Sequence, residues 1–395
     1  MVDAACEKRP WSLVIGAGSA QAPFIAAWSR VHRIAATDRD AAAGGRAWAE
    51  CFGALDAGDD DAILRFLESA LDGAPLANVI SFGSTEPQRA AARLARRLGV
   101  PGPPPQLVEV ALSKRRLLEW LAALDLAARG AVYVATHDVA RARLSRASGR
   151  WFLVPDRGGS GHGVACVDAD DLDAAALERA FALGGAGGMV LAPEVPGPEF
   201  VVTTVVREGR IAFLSVGRSV RLAESIAVPV GQMLGPARSC EPAALESVAQ
   251  RVVKASGLEQ GILGFEAVLG PSGPVVLDID LGYAVPVRLA RECGGGEIAE
   301  HLIGARPLAR ASEFPAASGL LYAVVTAHAD EAKLRSIGEL EGAEFTPAPG
   351  GGSGFETPDG AYRRAGWWLV RAPDQERVAE RLAAVAQRVY GCGLR

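Results

Sequence analysis

What the 395-residue chain lacks narrows its function before any motif is considered. Six cysteines, Cys6, Cys51, Cys166, Cys240, Cys293 and Cys392, stand far apart without a C-x-x-C. That spacing argues against a disulfide frame or a zinc site and fits reduced cytosolic thiols. No apolar run approaches the roughly 20 residues needed to span a bilayer, so no membrane partner is expected. Formal net charge is −5, with Lys and Arg scattered rather than massed in a stripe, so nucleic acid is not expected either. Internal repeats are missing. Lys8-Arg9 ahead of the stretch Trp11 to Trp28 has the outline of a secretory leader, but Asp3 and Glu7 spoil its basic flank. A cytoplasmic protein is expected, with a homodimer among the options for assembly.

What is present is an ordinary globular composition, 49% hydrophobic and 22% charged, with length for two or three domains. The first hundred residues alternate strand-like runs (Ser12 to Ile15, Arg33 to Thr37, Asn78 to Phe82) with helical ones (from Gln21 to about Val31, Asp61 to Leu71, Glu86 to Leu98). That rhythm predicts βαβ crossovers and a parallel sheet. Pro101, Pro103, Pro104 and Pro105 predict a linker. Ser113 is the expected N-cap of a helix running through Ala128, with Lys114 in its first turn. Beyond it the runs Trp151 to Val154, Gly163 to Val167, Met189 to Ala192, Phe200 to Val206 and Ile211 to Val216 predict antiparallel sheet with helices between. A helix from Pro242 to Ala255 precedes two strands, Gly261 to Leu269 and Pro274 to Asp280, joined by Gly270-Pro271-Ser272-Gly273. A strand at Leu320 to Thr326, a loose glycine loop at 350–354, a strand at Gly366 to Val370 and a helix from Asp374 to Tyr390 close the chain.

Three features could carry chemistry. Gly16-x-Gly18, with Asp38 ending the second strand, has part of a dinucleotide-binding pattern, but Gln21 stands where a third glycine belongs. A plain strand-to-helix turn is the competing reading. Gly158-Gly159-Ser160-Gly161-His162-Gly163 lies between two strands. Its unhindered backbone N–H groups could wrap a triphosphate, and a functionless hairpin loop is the alternative. Finally, Glu266 on one strand and Asp278 and Asp280 on the next can converge, since positions i and i+2 share a face. Converging acids need a cation, and oxygen-only donors suit magnesium; exposed strand-end acids are the bland reading.

In this order the features resemble the ATP-grasp superfamily of carboxylate-amine ligases over nearly the whole chain. The resemblance implies an α/β and α+β architecture. Residues 1–105 would form a Rossmann-like pre-ATP-grasp domain, 106–193 a linker helix and small lid subdomain, and 194–395 a large antiparallel-sheet subdomain with a C-terminal extension. Val14-Ile15-Gly16-Ala17-Gly18 and Thr37-Asp38 resemble the first of these, and Arg363-Arg364-Ala365-Gly366 resembles a C-terminal strand of the amino-acid ligase and carboxylase branches. Lys114 matches the lysine that reaches ATP phosphates. Val154-Pro155 and the loop at Gly159, Ser160 and Gly161 match the small-lobe strand and phosphate flap. Val190, Ala192 and Glu199 match the segment that lines adenine and offers an acid to ribose. Glu266, Asp278 and Asp280 match the metal-binding strands.

Departures accompany the matches. Val154 replaces the family's small-lobe lysine, for which Arg157 could substitute, and Gly282 replaces an arginine that steadies the transferred phosphate, for which Arg288 or Arg291 could substitute. The activity implied is ATP- and Mg²⁺-dependent joining of a small-molecule carboxylate to an amine through an acyl phosphate. Arg288 and Arg291, with Gly294, Gly295 and Gly296, are candidates for holding the carboxylate. A relative that binds nucleotide without turnover, an ATP-dependent carboxylase and a dinucleotide-dependent oxidoreductase are the rival readings.

Overall fold

A computed structural model describes residues 9–18, 21–82, 85–159, 161–222, 229–235, 241–282, 289, 292–293, 298–305, 309–310, 313–325, 331–348, 354–358, 360–392 and 394. The parallel sheet expected at the start is present, with β1 (Trp11–Ile15), β2 (Arg33–Asp38), β3 (Cys51–Ala54) and β4 (Leu76–Ile80) in the order β3-β2-β1-β4. Every residue of β1 is buried, because α1 (Ala22–Trp28) lies on one side and α2 (Asp60–Leu71) and α3 (Thr85–Leu98) supply the core of the other. A strand covered on both faces reads as a continuous apolar run. Strand β3 escapes the sequence reading because it is four residues long and carries a glycine, which has low strand propensity.

The proline-rich linker is present at 101–104, which form no helix or strand, but its last proline belongs to a helix. Pro104 is extended and Pro105 opens a helix, α4 (Pro105–Leu112). At the first helical position proline's missing N–H would have had no intrahelical partner, and its fixed φ suits the turn. The next helix, α5 (Lys114–Ala123), also ends earlier than its periodicity predicts. Asp125 takes the left-handed conformation with φ 52°, which a right-handed helix does not continue through.

The N-terminus of α5 is fastened twice. Ser113 Oγ accepts from Arg116 N at 3.2 Å and donates to Asp156 Oδ1 at 2.7 Å, and that same oxygen accepts from Arg115 N at 2.8 Å. The helix bearing Lys114 is thereby tied to the residue that follows β6 (Arg150–Pro155). Ser113→Ala is expected to lower unfolding stability by about 1 kcal/mol, the usual cost of a lost cap. Asp156→Ala should cost a similar amount, and thermal unfolding of both variants against the parent chain checks this.

The second sheet comprises β5 (Val132–Val134), β6, β7 (Ala165–Asp168) and β8 (Met189–Pro193), antiparallel in the order β5-β8-β6-β7. Its Leu153 and Leu191 pack beneath α6 (His137–Leu144) and α7 (Ala174–Gly184). The alternation of strand side chains therefore leaves Phe152, Val154, Val190 and Ala192 on the opposite face.

The third sheet holds β9 (Glu199–Arg207), β10 (Arg210–Val220), β11 (Gly231–Leu234), β12 (Gln260–Gly270), β13 (Gly273–Asp280), β14 (Ala309–Arg310), β15 (Ala317–Val325), β16 (Glu344–Pro347), β17 (Gly354–Thr357) and β18 (Gly360–Ala372). Its main path runs β13-β12-β9-β10-β11-β15-β18-β16, with β14 added beside β10 and β17 beside β18. One face packs on α4, α5 and α8 (Glu241–Ser256) through Val202, Val206, Phe265 and Ile279. The other face shares a core with the first sheet, where Phe213, Ile262 and Leu320 meet Phe24, Trp28 and Phe82. Helix α9 (Ala299–Leu302) joins that shared core, while α10 (Glu331–Leu340) and α11 (Gln375–Tyr390) cover the C-terminal strands. Among the described residues no helix is long and apolar enough to cross a membrane.

Candidate active site

The free face of the second sheet and the β12-β13 edge of the third enclose a crevice of about 880 Å³, within the range of small-molecule sites. Lys114 enters it from the start of α5, and Val154, Val190 and Ala192 form part of its wall. Gly159 and Gly161 border it from the loop between β6 and β7. Gly161 and Gly163 take φ of +86° and +71°, and a Cβ on Gly163 would come within 2.9 Å of the Pro155 ring, so that loop needs glycine there. Its far end is held against the C-terminal hairpin. Gly163 N donates to Glu356 O at 2.7 Å, and Glu356 N donates to His162 Nδ1 at 3.2 Å.

The acids on β12 and β13 lie on one face. Glu266 is directly opposite Asp278, and Gly264 opposite Asp280, while the intervening Phe265 and Ile279 pair turns into the core. A bulge beside Glu266 shifts the register at Leu277, and bulges re-aim side chains at sites. Glu266 and Asp278 line the crevice, whereas Asp280 sits at the solvent-exposed end of the strand, outside the lining. Lys114 Nζ donates to Asp278 Oδ1. Glu266 keeps some contact with solvent in the crevice, yet desolvation by the surrounding protein raises its pKa to about 8, with the Glu199 and Asp278 charges adding to the rise and Arg221 and Lys114 opposing it. Asp280 is exposed as a whole residue, but protein crowds its carboxyl, and that desolvation, followed by the charge of Asp278, raises it to about 6.

The structure does not bring every expected residue into the crevice. Arg157 is half-exposed on the outer side, 3.7 Å from Glu109 of α4, and is not part of the lining. Ser160, Arg288, Arg291, Gly294, Gly295 and Gly296 lie outside the described residues. Among the described residues no group of three or more His, Cys, Asp or Glu side chains is drawn together closely enough to hold a metal ion. The Asp38 carboxylate accepts from Ala17 N at 2.7 Å, in the loop after β1, and from Asp40 N at 2.9 Å, in its own turn, so each of its oxygens already holds one backbone donor.

Arg221 is the residue that sequence reasoning missed. It follows β10, which extends four residues beyond the expected end at Val216, and it lines the crevice. Its Nε and Nη2 donate to Glu199 Oε2 at 2.8 and 2.6 Å. Glu199 Oε1 is buried with no hydrogen-bond partner among the described residues. The one legible signal was a pair of arginines, Arg218 and Arg221, closing an otherwise apolar run.

Searches with the sequence find no matching family model and no matching curated protein. The structure, by contrast, matches solved enzymes end to end. A carboxyaminoimidazole ribonucleotide synthase from Aspergillus clavatus, complexed with ATP, superposes with TM-score 0.70 at 15% identity, covering 96% of this chain and 99% of its own. An L-amino acid ligase from Bacillus licheniformis gives 0.65 at 19% identity, covering 93% and 95%. A phosphoribosylglycinamide synthetase from Anaerococcus prevotii gives 0.61 at 13%, covering 98% and 99%. The chain has the ATP-grasp fold, as its motifs implied.

Proposed function

We propose that the chain is an ATP-dependent carboxylate-amine ligase acting on a small, amino-acid-like or natural-product substrate. The observation that carries this reading is Glu266 facing Asp278, with Lys114 beside them, in a crevice bordered by a glycine loop. Lys114 pairs with Asp278 and Arg221 with Glu199, so Glu266 is left, among the described residues, without a cation of its own. Desolvation first, then the Glu199 and Asp278 charges, raise its pKa to about 8, so it keeps its proton until a cation takes that proton's place. Such a donor set fits Mg²⁺, which is commonly held by one or two carboxylates together with substrate phosphates rather than by an all-protein cage.

In this reading the second sheet, from Val132 to Pro193, closes as a lid. Residues 1–105, 106–193 and 194–395 then serve as the substrate-side, lid and catalytic parts. Lys114 leaves Asp278 for the phosphates, the Gly159 to Gly161 backbone covers them, and Glu199 turns Oε1 to the ribose hydroxyls. Glu266 and Asp278 would hold Mg²⁺, with Asp280 at the margin, and the ion would supply charge dispersal for the transferred phosphate. A carboxylate oxygen of the substrate attacks the γ-phosphorus, and the bond from that phosphorus to the bridging oxygen of ADP breaks. An amine then attacks the acyl carbon, the phosphate leaves with the C–O electron pair, and the nitrogen loses a proton. Placement and charge neutralisation supply the rate. The substrate's own partners are the expected Arg288 and Arg291.

ADP release measured against mixtures of amino acids tests the reading. Release that requires Mg²⁺, an acid and an amine together is the expected result; release that needs only bicarbonate beside an amine indicates a carboxylase. Tight ATP binding with no ADP under any pairing favours a second reading, a nucleotide-binding protein without turnover. What supports that second reading is Val154 and Gly282 standing where family members carry lysine and arginine.

A further inference from the structure

The nucleotide site of the proposed ligase has a charge to replace. Val154 lies on the crevice face of β6, where an apolar side chain stands in place of a cation, and the nearest basic residue in sequence, Arg157, faces away toward Glu109. The third sheet supplies one from the opposite wall. The Arg221 guanidinium carbon lies 5.9 Å from the centre of the Phe152 ring. Phe152 is two residues before Val154 on the same strand, so the two share a face, and both line the crevice. Arg221 is four-fifths buried, and its charge is felt at Glu266 on β12. It therefore stands between the acidic edge of the third sheet and the wall formed by β6 and β8.

We propose that Arg221 is the phosphate-side cation of this site, taking over from the third sheet the electrostatic role that a lysine at position 154 would fill from the lid. This deepens the nucleotide reading above and rests on it. The geometry gives Arg221 a double duty. Nε and Nη2 hold Oε2 of Glu199, which leaves Oε1 as the acceptor for a sugar hydroxyl. The guanidinium meanwhile lies 5.9 Å from the Phe152 ring, on the face of β6 that also carries Val154. A planar guanidinium can donate to a carboxylate along one edge and to phosphate oxygens along another, chemistry a lysine ammonium reproduces poorly. The consequence is that this cation reaches the site from the end of β10 rather than from the lid strand that carries Val154.

The test compares binding of adenosine with binding of ADP by titration calorimetry, in the full chain with Mg²⁺ present. The ratio of the two affinities isolates the phosphate contribution, because any disturbance of Glu199 and the ribose affects both ligands. Arg221→Ala is expected to reduce the ADP-to-adenosine affinity ratio by about tenfold or more, equivalent to at least about 1.4 kcal/mol. Arg221→Met, which keeps an apolar stem against Phe152, is expected to do the same and serves if the alanine variant folds poorly. Adding Val154→Lys to either variant should recover most of the ratio, a rescue that a purely structural role for Arg221 would not show. An unchanged ratio in the single variants, or no recovery on adding lysine, overturns the proposal while leaving nucleotide binding intact. Failure of the parent chain to bind ADP overturns both this assignment and the nucleotide reading.

Discussion

Glu266→Ala and Asp278→Asn are each expected to reduce ATP consumption by at least about 100-fold, the scale on which removing a single electrostatic partner of a transition state acts. The two residues are directly opposed across the β12-β13 hairpin and border the crevice, so in the proposed site either loss would leave a divalent ion with one of these two carboxylates. Asp278→Asn also releases Lys114 from its partner. Nucleotide affinity measured without metal should therefore change little or improve in that variant even as turnover collapses. ATP consumption that persists at the parental rate in both variants would remove the metal assignment altogether.

Raising the pH from about 5 to 8 is expected to lower the thermal stability of the nucleotide-free protein, with the loss levelling off above 8. In the folded chain Glu266 keeps its proton up to about 8, whereas its unperturbed value is 4.5. Between those limits the native state binds one proton more than the unfolded state, so stability falls with rising pH. Asp280, raised to about 6, adds to the early part of the decline. In the proposed site Mg²⁺ would have to displace the Glu266 proton, so its apparent affinity is expected to climb with pH at up to about tenfold per unit below 8. Glu266→Gln should flatten both profiles, and unfolding midpoints and metal titrations between pH 5 and 9 measure them. Profiles as steep in the glutamine variant as in the parent would show that other groups carry the pH dependence.

Much of the fold was legible because its central strands are covered on both faces. Val202, Val205 and Val206 in β9 and Leu13, Val14 and Ile15 in β1 make apolar runs that read as strands whatever their partners. Helix ends were legible where a local rule sets them, as at Ser113 and at Asp374, whose side chain accepts from Arg377 N at 2.9 Å. The edges of the pattern were not. β3, α4 and the last four residues of β10 depend on neighbours that supply ladder bonds or burial, and glycine, proline and arginine there point locally to loop.

The acids showed the same division. Residue spacing, two aspartates at i and i+2, was enough to put Asp278 and Asp280 on one face of their strand, but the hairpin register from Gly270-Pro271-Ser272-Gly273 would set Leu277 opposite Glu266, and only the bulge there turns both acids to the face of Glu266. The bulge at Leu277 and the exposed end of β13 decided that Glu266 and Asp278 line the crevice while Asp280 stays at its margin.

By itself the sequence determined the order of elements, the hairpin that carries the acids and the glycine loop, since each follows from residue periodicity or from backbone freedom within a few positions. Only the tertiary structure decided which cations reach the crevice. Arg157 and Arg221 are alike as residues, but one follows a strand whose end turns it toward Glu109, and the other follows a strand that delivers it to Glu199. The field at a site is a sum over distances in space, which sequence separation does not encode.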